Sequence, residues 1–211
     1  MLIDFKYLFD KYKINCTGLL MAGGNTAQER FIYDELQIPE VIWIEAIPFV
    51  FEAMRANLIP FDNQIAIKAC LSDVDDEEVT FNISNNEAQS SSFLELAHHI
   101  IIHPEVHYID QIKLNTIRLD TLLNLLERDN KHINFLVADL QGAELKMLQG
   151  IGNLINQFDY IYLEINKRET YKDCALVWDL QEFLSDFTLV EVGEWVSDTW
   201  TDGFWIRKTL L

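Results

Sequence analysis

Short apolar runs of strand length alternate along the chain with longer stretches whose apolar residues recur every three to four positions, and polar or glycine-containing turns separate them. This rhythm predicts a parallel sheet with helices packed against it. The first buried strand is expected at Gly18 to Ala22, followed by the turn Gly23-Gly24-Asn25 and a helix through Gln37 that places Ile32 and Leu36 on one face. Val41 to Ala46 reads as the second strand, and Pro48 suits the first turn of a helix reaching Asn57. Ile65 to Leu71 is the third.

The polar break from Ser72 to Glu78 leads into Val79 to Ile83, whose β-branched and aromatic residues predict an extra strand inserted into the alternation, followed by a Ser/Asn-rich loop. Ile112 to Leu119 reads as extended, and Leu122, Leu123, Leu125 and Leu126 as a helix stripe. Phe135 to Leu140 and Tyr160 to Ile165 are two further buried strands. The helix between them, built on Leu145, Leu148, Leu154 and Ile155, contains Gly150 and Gly152, which favour a break. At the end, Leu189 to Trp195 and Phe204 to Arg207, joined through Asp198 and Asp202-Gly203, predict an antiparallel pair at one edge. The expected fold is a doubly wound α/β domain with an antiparallel C-terminal hairpin, in which ligands bind at the carboxyl ends of the strands.

Composition narrows the partners. With 49% hydrophobic and 24% charged residues among 211, the chain has the make-up of an ordinary globule. Its 34 acidic and 16 basic side chains give a formal charge of −18, a field that repels phosphate backbones and anionic headgroups, so no nucleic-acid partner is expected. Apolar runs such as Val41 to Ile44 and Ile100 to Ile102 fall far short of the ~20 residues that span a bilayer, and no integral membrane segment is expected. Charged residues from Asp4 to Lys13 interrupt any signal-peptide core, and Cys16, Cys70 and Cys174 show neither a C-x-x-C pair nor a disulfide framework. Together these predict a cytoplasmic protein with reduced thiols; a homo-oligomer is left open.

Candidate chemistry gathers at the predicted strand ends. Small residues at Gly23 and Gly24 let the backbone approach a ligand, although the full G-x-G-x-x-G pattern is missing. Glu45 closes the second strand about twenty residues after that turn, where an acid in a nucleotide-binding domain accepts the ribose hydroxyls. Asp139 ends the fourth buried strand, with Glu144 in the first turn of the next helix, and Glu164 and Asn166 end the fifth. Asp139 and Glu144 also suit plain helix capping, but several polar groups converging on adjacent strand ends favour a site.

The segment 135–150, with Asp139, Gln141, Gly142, Ala143, Glu144, Leu148 and Gly150, resembles the D-x-Q-G-A-E-x-x-x-L-x-G signature of the FkbM family of S-adenosylmethionine-dependent methyltransferases. Segments 23–29, 43–48 and 82–92 agree, and the resemblance continues through 103–106 and 116–120 to 162–166. Ala27 departs from the family pattern, where a third glycine is usual, as does Met21, where histidine is common.

The resemblance implies a single methyltransferase domain over residues 1–211, with a Rossmann-like, mostly parallel seven-stranded sheet. It implies that Gly23, Gly24 and Asn25 pass under the methionine part of S-adenosylmethionine, that Glu45 holds the ribose, and that Ala46 and Ile47 border the adenine. Ser72 and Asp73 fall where such enzymes contact the adenine amino group, and Ser91 where the cofactor carboxylate or an acceptor hydroxyl binds. The implied reaction is O-methylation of a hydroxyl on a small molecule or glycan, such as a sugar in a glycan, glycolipid or glycosylated metabolite.

A sugar hydroxyl is a weak acid and needs a general base or a divalent cation. Asp139, Glu164 and Asn166 offer hard oxygen ligands to Mg²⁺, while Asp139 alone could be the base; the residues leave both mechanisms open. Among the clustered His98, His99, His103 and His107, His103 is the preferred second base because it lies in the family-like His-Pro segment. Trp195, Trp200 and Trp205 offer faces for a sugar, at least two of them being expected to serve packing. The competing readings are a nicotinamide-dependent NAD(P) oxidoreductase on the same kind of sheet, and a catalytically silent cofactor-binding protein.

Overall fold

The computed structural model describes residues 1–126 and 130–211. Helix α1 (Phe5–Tyr12) precedes an alternation of β1 (Leu19–Ala22), α2 (Arg30–Glu35), β2 (Val41–Glu45), α3 (Pro48–Leu58) and β3 (Gln64–Lys68). The chain then makes an excursion through β4 (Cys70–Leu71), β5 (Glu78–Ser84), the single turn α4 (His99–Ile102) and β6 (Tyr108–Ile117). It returns with α5 (Leu119–Leu125), β7 (Phe135–Ala138), α6 (Glu144–Gln149), β8 (Tyr160–Asn166), α7 (Val177–Phe183), β9 (Phe187–Val192) and β10 (Trp200–Arg207).

The described residues form a seven-stranded sheet in the order β3-β2-β1-β7-β8-β10-β9 and a three-stranded sheet in the order β4-β6-β5. In the large sheet the pairs from β3 to β8 are parallel, and β10 runs antiparallel to both β8 and β9. Alternation along each strand divides its side chains between two cores. Leu20, Ala22, Ile42, Leu136 and Leu163 face one layer with residues of α5, α6 and α7, whereas Leu19, Met21, Trp43, Phe135 and Tyr162 face the other with α1, α2 and α3. Both faces are covered, which is why these strands read as unbroken apolar runs.

Several elements differ from the sequence reading. The third strand breaks after Lys68: Ala69 still donates to Glu45 of β2 at 3.0 Å, but Cys70 and Leu71 pair with β6 in the small sheet. The helix after Gly23-Gly24-Asn25 is confined to α2, because Asn25 and Ala27 adopt φ of 42° and 59° and hold the preceding stretch in turns. Leu119 opens α5 rather than ending the extended segment. Asp202-Gly203 lies inside β10, opposite Glu164 and Leu163, and the reversal falls earlier, with positive φ at Ser197 and Asp198. Asp202 can occupy a central strand because its buried carboxylate accepts from the Tyr162 hydroxyl at 2.6 Å. Helix α1 was legible as Asp4 followed by Phe5, Leu8, Phe9 and Tyr12: Asp4 Oδ1 accepts from the Lys6 N–H at 2.7 Å and caps it.

Strand order reverses between β1 and β7, so the following connections leave in opposite directions and open a crevice at their carboxyl ends. Gly23, with φ of 81°, turns there so tightly that a Cβ would stand 1.8 Å from the Asp139 carbonyl oxygen. Gly23→Ala is expected to destabilise the fold by about 3 kcal/mol, read as a lower urea midpoint. A midpoint equal to that of the parent protein would mean that the two strand ends are not held this closely.

Candidate functional site

The crevice continues into a cavity of about 570 Å³ between the carboxyl ends of the large sheet and the excursion from β5 to α4. That volume lies in the ordinary range of small-molecule sites, ~300–1,000 Å³. Gly23, Asn25, Glu45, Ala46, Ser91 and Asp139 all line it, so residues far apart in the chain are brought to one cavity.

Glu45 joins two of these elements. Its carboxylate accepts from the Asn25 N–H at 2.9 Å and the Ile47 N–H at 2.8 Å, tying the turn after β1 to the turn after β2. Burial nevertheless raises its pKa to about 7, against the pull of these N–H groups. Ser91 is buried, and its hydroxyl accepts from the Ser84 N–H at 3.0 Å, which holds the loop after β5 over the cavity. Gly24 stands behind the turn rather than in the wall. Ser72 and Asp73 are also absent from the wall, which reaches only Leu71: Ser72 donates to Asp73 at 2.9 Å, and Asp73 faces Lys146 at 3.6 Å.

The inner end is dominated by carboxyl groups. Burial raises Asp139 to about 6, opposed by the Gln141 hydrogen bond, and burial raises Glu144 to about 7. Glu164 is pushed well above the usual carboxylate range by burial and by the charges of Asp139, Glu144 and Asp202. Glu144 is a structural member, accepting from the N–H groups of Leu140 at 2.7 Å and Gly142 at 3.3 Å and so closing the turn after β7.

Asp139, Glu164 and Asn166 are brought close together, but their donors do not fit a shared cation in this arrangement. The Gln141 amide nitrogen lies between the two acids, donating to Asp139 Oδ1 at 2.5 Å and Glu164 Oε2 at 3.3 Å. Asn166 presents its amide nitrogen to Glu164 Oε1 at 3.3 Å, and its oxygen accepts from the Thr170 hydroxyl. Among the described residues no group of three or more His, Cys, Asp or Glu is arranged to hold a metal.

His103 lines the outer part, half-buried, 3.5 Å from Glu105. Its neighbour His99, with ring centroids 5.1 Å apart, also lines the cavity and is pushed down to about 4 by burial and by His103, so it is neutral at physiological pH. Of the three tryptophans, Trp205 is core, Trp195 lies under Lys167 at 4.1 Å, and Trp200 lines the cavity. His99 belongs to the histidine cluster of which the sequence prefers His103, whereas Asp202 and Tyr171 are not among the residues the sequence singles out for the site. Gln141 was visible in the signature without a role, whereas Tyr171 carries no local signal. The lining includes six acids, Glu29, Glu45, Glu105, Asp139, Glu164 and Asp202, two histidines, and Met1, whose α-amino charge acts on Asp139; no described lysine or arginine lines it.

A family profile described as the methyltransferase FkbM domain matches residues 24–194. Solved structures share the fold at low identity. A SAM-dependent methyltransferase from Aquifex aeolicus is 12% identical over 98% of this chain and 90% of its own, with a TM-score of 0.51. Aeropyrum pernix fibrillarin, with natively bound S-adenosyl-L-methionine, is 11% identical over 91% of this chain and 67% of its own, with a TM-score of 0.52. M. capricolum TrmK, in complex with S-adenosyl-homocysteine, is 10% identical over 99% of this chain and 70% of its own, with a TM-score of 0.50. None of the curated proteins compared matches the chain.

The buried acids set a pH dependence whose sign is opposite to that of a salt-bridged carboxylate. A carboxyl with a raised folded pKa binds its proton more tightly in the native state, so stability present at low pH is lost as pH rises from the unfolded value to the folded one. For Glu144 that window runs from 4.5 to about 7. The ligand-free protein is expected to unfold at lower urea at pH 8 than at pH 5. Glu144→Gln, which keeps an acceptor oxygen, should remove on the order of 3 kcal/mol of that difference; an unchanged pH dependence would exclude Glu144 as its source.

Proposed function

Because the chain belongs to the FkbM methyltransferase family and is an S-adenosylmethionine-dependent methyltransferase, we propose that it methylates the hydroxyl of an uncharged sugar in a glycan, glycolipid or glycosylated metabolite. The observation that carries the acceptor class is the carboxyl-rich cavity wall, with six carboxyl groups and no described lysine or arginine. Carboxyl groups hydrogen-bond sugar hydroxyls, those that are ionised repel phosphate or carboxylate acceptors, and Trp200 adds aromatic surface. A nucleic-acid acceptor would meet this wall and a formal charge of −18 together. We place this activity in the cytoplasm, consistent with three free cysteines.

The residues present fit the cofactor: Glu45 stands at the end of β2 with Ala46 and Ile47 beside it, and Gly23 and Asn25 form the facing turn. Glu45 would hold the ribose, Ala46 and Ile47 would border the adenine, and the turn would carry the methionine part. When bound, S-adenosylmethionine supplies an electrophilic methyl group that passes to the acceptor oxygen and leaves S-adenosylhomocysteine. Asp139 is the base: Oδ1 is held by Gln141, and Oδ2, with no hydrogen bond from a described residue, takes the hydroxyl proton. His103, nearer the outer part, contacts the acceptor. Excluding water from this buried end strengthens the interaction of Asp139 with the hydroxyl and prevents proton loss to solvent.

Calorimetry and methyl-transfer assays test this reading. Glu45→Ala is expected to weaken S-adenosylhomocysteine binding by about tenfold or more, as for a lost charged hydrogen bond; unchanged affinity would sink the ribose role. Asp139→Asn should lower kcat by about 10²-fold or more with that affinity retained. In a panel of methyl glycosides, uronic acids and sugar phosphates, neutral sugars should be methylated and their anionic counterparts not; preference for an anion would refute the acceptor class.

A further inference from the structure

The gap between Asp139 and Glu164 is bridged by a neutral group that is itself fixed. Gln141, at the positive φ of 52°, folds back over the end of β7 and gives its amide N–H groups to both acids. Its oxygen accepts from the hydroxyl of Tyr171, which is 1% exposed. The reversed amide would set its oxygen against the Asp139 carboxylate, so the tyrosine donor and that carboxylate select one orientation. The next residue back repeats the arrangement: Thr170 donates to the Asn166 oxygen, which turns the Asn166 amide nitrogen toward Glu164. Two consecutive hydroxyls thus aim two amides at Glu164, one of which also reaches Asp139.

The segment carrying these hydroxyls is held by the excursion that covers the cavity. Ala97 and His99 donate to the Thr170 carbonyl at 2.9 and 3.1 Å, His98 to Glu169 at 2.9 Å, and Lys172 to Glu95 at 2.8 Å. The Tyr171 ring packs 5.6 Å from that of His99. Closure over the acceptor side and orientation of the amides are therefore mechanically joined.

We propose that Gln141 is a positioning residue whose amide takes the place a divalent cation would have between Asp139 and Glu164, with Tyr171 fixing its orientation, so that methyl transfer proceeds without a bound metal. This rests on the methyltransferase reading of the site but not on the sugar acceptor. The amide holds Oδ1 of Asp139 and leaves Oδ2 to the acceptor, and a displacement of that carboxylate by about 1 Å would be felt as a large loss in rate.

Two arms test it with the 211-residue chain. In the first, Mn²⁺ is titrated into protein saturated with S-adenosylhomocysteine and free Mn²⁺ is read by electron paramagnetic resonance. No stoichiometric binding is expected, and Mn²⁺ binding that Asp139→Asn abolishes would overturn the proposal. This arm needs no acceptor, so it is read whether or not any sugar is methylated; absence of sugar turnover counts against the acceptor class alone.

In the second, Tyr171→Phe, which keeps the ring and removes only the donor, is assayed with EDTA on the best acceptor of the panel. The kcat is expected to fall about tenfold with KM values within twofold, and to fall no further when Asp139 is already Asn. Equal losses in both backgrounds, which a merely structural role would give, or no loss at all, would overturn it. Gln141→Glu, nearly isosteric but presenting an oxygen to both acids, provides the second variant: it should lose rate with unchanged S-adenosylhomocysteine affinity, and a parental kcat would equally overturn the proposal.

Discussion

The contact between the backbone of Gly23 and the carbonyl of Asp139 governs the rest of the site. It sits where the sheet reverses its strand order, and it brings the turn after β1 and the acid after β7 into a single crevice. Glu45, accepting from Asn25 and Ile47, locks the next strand end to the same turn. Three loops from distant parts of the chain thereby share one wall, and the excursion from β5 to α4 closes the fourth side.

The electrostatics follow from that geometry. Strand ends that converge also bring their acids together, and burial raises Glu45, Asp139, Glu144 and Glu164 alike. Different neighbours give these acids different tasks. Glu45 and Glu144 accept backbone N–H groups and serve as fasteners, whereas Asp139 and Glu164 meet side-chain amides and line the cavity. Such a wall offers hydrogen-bonding groups to a ligand, and its ionised members disfavour an anion.

Part of this was legible because it is local. Unbroken apolar runs marked β1, β2, β7 and β8, since each strand buries both faces, and the same runs ended in Gly23, Glu45, Asp139 and Glu164. An acid that follows an apolar strand must lie at its carboxyl end, so the crevice could be populated from the sequence before any strand order was known. Helix α1 was equally local, with an aspartate cap and an apolar stripe, and was passed over beside the signal of the strands.

The sequence by itself determined the layered sheet, the family and the acids at the strand ends, because periodicity, turns and the 139–150 signature act over a few residues. Only the tertiary structure decided that β4 leaves for a second sheet, that Ser72 and Asp73 lie outside the cavity, and that Asp202 is held inside a strand by Tyr162. It also decided which amide orientation Gln141 adopts, through a tyrosine thirty positions away. These are contacts across the chain between single polar groups, each worth little until burial removes the competing water, and so they leave no periodic trace in the order of residues.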